Sequence, residues 1–142
     1  MLSIVCETIT PTLLIAVLAL PWLYRGRLAR AELVRLIAVQ TGLGMVATYS
    51  LMALDKQLGW WPNWGLDYST HSAFALSLAL PLIKQHHWAW IGLLLFYGFC
   101  MHQLHYHSVL DILTTSLAWA LACLPFIYLI EQYLQKPQTV NS

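Results

Sequence analysis

His107 and Asp111 stand four residues apart, a spacing that projects two side chains from one face of a helix. The carboxylate could fix the imidazole tautomer through a hydrogen bond, or both groups could ligate one metal ion. His71 opens an apolar stretch earlier in the chain, while His102 and His105 sit just before the pair, one turn apart on a continuing helix. Glu7, Asp55 and Asp67 are further acids that could join them. Imidazole and carboxylate donors together suit a divalent ion such as zinc. A catalytic ion keeps an open position for water and lowers its pKa towards about 7. The metal-ligand candidates are therefore His71, His107, Asp111, His105, Asp67 and Glu7.

Each candidate also has a plainer role. Asp67 suits the cap of a following helix, Asp55 a helix end, and Glu7 simple solvent exposure. His102, His105, His86 and His87 fit an interface with lipid headgroups. Asp111 is the exception, because it lies inside an apolar run where an acid is costly without a partner or a wet cavity.

Membrane helices must position these residues. Of 142 residues 59% are hydrophobic and only 9% charged, and the mean hydropathy is +0.63, leaving too little polar surface to coat a soluble globule. A hydrocarbon core about 30 Å thick takes roughly 20 apolar residues per helix. The charges that interrupt the apolar runs predict five spans in one domain, at 2–24, 31–54, 69–83, 88–103 and 108–134, with a flexible tail at 135–142. The fold class expected is an all-α bundle of about five transmembrane helices.

Short loops rich in Lys and Arg stay cytoplasmic. Arg25, Arg27, Arg30, Arg35, Lys84 and Lys136 share one face of the five-span topology and Lys56 stands alone on the other. The N-terminus is thus expected outside and the C-terminus inside. Met1 to Thr10 lacks a basic segment of the kind that opens a cleaved signal peptide. Trp60, Trp61 and Trp64 suit the outer headgroup region. Cys6, Cys100 and Cys123 show no metal-type spacing and read as small hydrophobes. On this topology Glu7, Asp55, Asp67, His71, His102, His105, His107 and Asp111 all map to outer helix ends, gathering acids and imidazoles on one face. The location expected is a bacterial inner membrane with this cluster facing outward.

The residues resemble two families of membrane hydrolases. Thr70-His71-Ser72 at a helix start and His107-Ser108-Val109-Leu110-Asp111-Ile112-Leu113-Thr114 resemble the motifs of the YdjM-like membrane-bound metal-dependent hydrolases. Tyr68-Ser69-Thr70-His71 and the His107 to Asp111 spacing also look like the middle and last motifs of the type 2 phosphatidic acid phosphatases. The second resemblance implies His107 as nucleophile, Asp111 as its orienter and His71 as general acid. Ser69, Thr70, His102 and Lys56 are substrate-binding candidates. That family cradles phosphate with Lys and Arg, whereas here Asn63 and Met101 align with its arginines and only Lys56 remains.

Histidines and acids with few basic residues describe a cation site better than an anion site. The expectation is a metal-dependent hydrolase acting on a lipid or lipid-linked ester, with phosphoesters the leading class, at the outer membrane–water interface. The alternatives are a metal-free lipid phosphatase with a histidine nucleophile, and a non-enzymatic subunit binding a metal, haem or pigment. The partners expected are the bilayer and a lipid substrate, with no nucleic acid; oligomer or partner subunits stay open.

Overall fold

Apolar residues on almost every face of a helix leave no soluble side to present, so such helices pack only with one another and with lipid. The computed structural model describes residues 2–23, 30–84 and 87–135, excepting the side chains of His87 and Gln135. It contains α1 (Leu2–Leu23), α2 (Arg30–Leu58), α3 (Thr70–Ile83), α4 (His87–Gln103) and α5 (Val109–Gln135), with a short 3-10 turn at Pro62–Trp64. No strand occurs among the described residues. Arg25, Arg27, His86, Lys136 and the expected tail beyond Gln135 lie outside them.

Three helices are long and apolar enough to cross a membrane: Leu2–Leu23, Arg30–Leu58 and Val109–Leu134. The other two are shorter. At about 1.5 Å per residue, the 14 residues of α3 reach roughly 21 Å and the 17 of α4 roughly 26 Å. Large apolar side chains such as Ile15, Leu18, Leu117, Leu121 and Phe126 are exposed, a surface that lipid accommodates and water does not.

The shortest helix is the central one, for α3 packs against all four others. Small side chains permit this close approach: Ser72, Ala73, Ala75, Ser77 and Ala79 are all buried. Across from them on α2, a Cβ added at Gly44 would stand 2.8 Å from Ser77 Cβ. The Trp119 indole N–H of α5 donates to both Gly44 O and Ser77 Oγ at 3.1 Å, and the Thr48 and Ser77 hydroxyls meet at 3.2 Å. At the opposite end from His71, the Glu131 carboxylate of α5 accepts from buried Gln40 of α2 and from Lys84 at the end of α3.

One helix end differs from the expected boundary, that of α2, while α4 ends at the expected Gln103. α2 continues past 54 to Leu58, so Asp55 and Lys56 stand in its last turn instead of ending it. Gly59, at φ 64°, ends the helix, its N–H donating to Asp55 O at 2.7 Å. α4 ends at Gln103 before His105 is reached. The His105 N–H donates to His102 O and the Tyr106 N–H to Met101 O, both at 3.0 Å, the paired bonds of a Schellman termination. His105 occupies its left-handed position at φ 57°. The connection into α3 departs from expectation as well. Trp61, expected among headgroups, is buried; its backbone N–H donates to Asp55 Oδ1 and its indole N–H to Thr114 Oγ1. Trp60 and Trp64 are exposed. Cys6, Cys100 and Cys123 are free and buried.

Candidate functional site

Asp111 carries out the local construction. Ser108 precedes α5, and its hydroxyl accepts the Asp111 N–H at 3.1 Å while Asp111 Oδ2 accepts the Ser108 N–H at 2.7 Å. This reciprocal pair is a capping box, with Asp in place of the usual Glu. The other carboxylate oxygen, Oδ1, accepts the Asp67 N–H at 2.9 Å. One turn along, Thr115 Oγ1 accepts the Ser69 N–H at 3.0 Å. The i, i+4 pair Asp111 and Thr115 thereby receives alternate N–H groups of the extended segment that leads into α3. Asp111 is only 7% exposed, and these donors balance its burial.

That stitching places His71 against His107. Ser69, which is fully buried, caps α3 by accepting the Ser72 N–H, so Asp67 does not cap it and the Ser69 hydroxyl does not face the solvent. His71 then falls in the first turn of α3 with an exposed side chain. Its ring centroid lies 6.3 Å from that of His107, with the planes inclined at 52°.

No hydrogen bond joins His107 to Asp111, for His107 precedes the helix and the helical i, i+4 geometry does not apply to it. The nearest carboxylate is that of Asp67, whose Oδ2 stands 3.7 Å from His107 Nδ1. Nδ1 is buried and without a hydrogen-bond partner. Burial holds the His107 pKa below the ordinary imidazole value and His71 adds to this, while the opposing pull of Asp67 and Asp111 is smaller. The ring is therefore held towards its neutral form, which keeps a lone pair for a nucleophile or base.

The other candidates divide by position. Glu7 and Thr70 line the same cleft of about 410 Å3 as His71. His102 lies elsewhere, on an apolar groove of about 400 Å3 bounded by α3, α4 and α5. His105 terminates α4, and Lys56 is exposed on the last turn of α2. The donor set His71, His107 and Asp67 has the chemistry of a zinc site. As placed, however, it does not converge: among the described residues no group of three or more His, Cys, Asp and Glu is arranged to hold a metal ion.

Sequence reasoning passed over Thr115 and the tyrosines of the cleft, Tyr49, Tyr97 and Tyr106. Thr115 carried a signal, since it stands four residues after Asp111 and so shares its helical face. The tyrosines carried none, because an aromatic within or beside an apolar helix reads as packing or anchoring until its neighbours are known. In comparisons with protein-family models, curated proteins and solved structures, none matches this chain.

Proposed function

We propose that the chain is a membrane-embedded hydrolase that cleaves a lipid or lipid-linked ester, with phosphoesters the leading class, at the outer membrane–water interface. The observation that carries this reading is the facing pair His71 and His107, one exposed and one held neutral, beside a cleft at the end of the bundle. All five helices cross the bilayer in this reading, with α3 and α4 as short central crossings and the N-terminus outside. It is supported by the alternating direction of successive helices and, among the described residues, by Arg30, Arg35 and Lys84 lying towards the end opposite His71.

In the reaction, a proton on His107 Nδ1 directed at Asp67 leaves the Nε2 lone pair free. Nε2 attacks phosphorus, forming a P–N bond as the bond from phosphorus to the leaving oxygen breaks. His71 gives that oxygen its proton and afterwards takes one from the water that hydrolyses the phosphohistidine. Asp67, in place of Asp111, is the orienting carboxylate, and Asp111 is a positioning residue that holds the loop bearing Asp67. Because the described donors do not converge on a metal, no step is assigned to one. A metal-assisted form would draw its donors from His71, His107 and Asp67.

The test is hydrolysis of radiolabelled phospholipids by detergent-purified protein, beside His71→Ala and His107→Ala. Loss of turnover in both variants, with an acid-labile phosphoenzyme formed only when His107 is present, is the expected result. Retained activity in His107→Ala rejects the reading. Activity abolished by chelation and restored by zinc, with about one ion per chain lost in both variants, would favour the metal-assisted form.

A further inference from the structure

The cleft beside His71 has an unusual lining for a site that handles a phosphoester. One carboxylate, Glu7 of α1, stands with the aromatic side chains of Tyr49 from α2, Phe74 from α3, Tyr97 from α4 and Tyr106 from the turn after α4. No Lys or Arg lines it among the described residues. Aromatic faces carry negative charge density and attract cations, and a carboxylate adds a full negative charge. A purely anionic group would meet repulsion here and find no basic partner. The Thr10 hydroxyl lies 3.3 Å from the Tyr97 hydroxyl, which ties that ring to α1 beside Glu7.

We propose that this cleft binds the ammonium group of a lipid headgroup, so that the substrate is a zwitterionic phosphoester lipid carrying a quaternary or primary ammonium. His71 belongs both to the cleft and to the pair with His107. The phosphoryl group therefore lies at the His71 end, while the ammonium sits among the rings and Glu7. Such a headgroup brings its own cation, which lessens the need for the basic cradle that the chain lacks. The word substrate rests on the hydrolase reading, whereas binding of the ammonium does not require turnover.

Binding and turnover are measured separately in the experiment. Full-length wild type and His107→Ala protein in detergent are titrated with short-chain phosphatidylcholine and with phosphatidylglycerol of the same acyl length, while hydrolysis of each lipid is followed in the wild type. Phosphatidylcholine is expected to bind about tenfold more tightly, with the preference falling close to unity in Glu7→Gln and Tyr106→Leu. Both positions are exposed, so the substitutions leave the core untouched. In the wild type, tetramethylammonium is expected to displace phosphatidylcholine. Equal or reversed preference, a preference that survives both substitutions, or no displacement by tetramethylammonium overturns the proposal. Preference without hydrolysis of either lipid supports the ammonium cleft and counts against the hydrolase; hydrolysis without preference does the opposite.

Discussion

Replacing Asp111 by Ala removes two acceptors at once, and both donors belong to connections between helices. The Ser108 N–H at the cap of α5 and the Asp67 N–H before α3 each donate to one carboxylate oxygen. A hydrogen bond to a charged group contributes about 1.5–3 kcal/mol. Ser108 and Asp67 are exposed residues, so water takes over part of each bond and the lower figure applies. Asp111→Ala is expected to cost about 3 kcal/mol. Asp111→Asn, which keeps one acceptor oxygen, is expected to cost about half of that. The backbone at Asp67 would then lose its direct tie to α5, leaving the flanking Ser69 to Thr115, Tyr68 to Thr48 and Trp61 bonds, and the relation of Asp67 and His71 to His107 would loosen. Denaturant unfolding in detergent, followed by tryptophan fluorescence, measures the stability term; hydrolysis by the folded fraction measures the positional one. A Asp111→Ala protein whose unfolding free energy lies within about 0.5 kcal/mol of wild type, a margin typical of surface substitutions, would refute the assignment of Asp111 as a positioning residue.

Gly44→Ala should lower stability by about 1–3 kcal/mol, since its methyl group meets Ser77 Cβ at 2.8 Å and the Trp119 ring at 3.0 Å; unchanged unfolding would show that α2 and α3 separate freely. His105→Gly should raise stability by about 1 kcal/mol by relieving a left-handed residue at φ 57° while leaving hydrolysis intact, and a loss of turnover would return His105 to the list of ligands. The lowered His107 pKa gives stability a sign on acidification. Below the ordinary imidazole value of about 6.5 the unfolded chain takes up a proton that the folded site resists. Stability should therefore fall as pH drops through this value, until the folded pKa is passed. Unfolding midpoints at several pH values in wild type and His107→Gln test this, and equal slopes would contradict it. The acid limb of hydrolysis should likewise lie below about 6.5, chiefly because His107 is buried, with Asp67 and Asp111 opposing that shift and His71 adding to it.

Composition and run length were sufficient to determine that the chain is helical and apolar enough for a membrane, because burying backbone polar groups in lipid leaves few alternatives to a helix. The segment boundaries were legible from Arg30, Lys84 and His87, where charge or imidazole interrupts an apolar run. They were less legible at Leu58, where a backbone hydrogen bond of the following turn decides the end. Residue type and spacing also singled out His71, His107 and Asp111 as candidates. Their division of labour could not be read that way. Spacing four apart implies one helical face only if the helix includes both residues, and Ser108 starts α5 one residue too late for His107. Only the tertiary structure decides that Asp111 turns to backbone N–H groups, that Asp67 comes to His107, and that tyrosines from three separate segments surround the cleft with Glu7. These depend on which helix ends meet in space, a property of packing across the whole bundle that no local stretch of sequence contains.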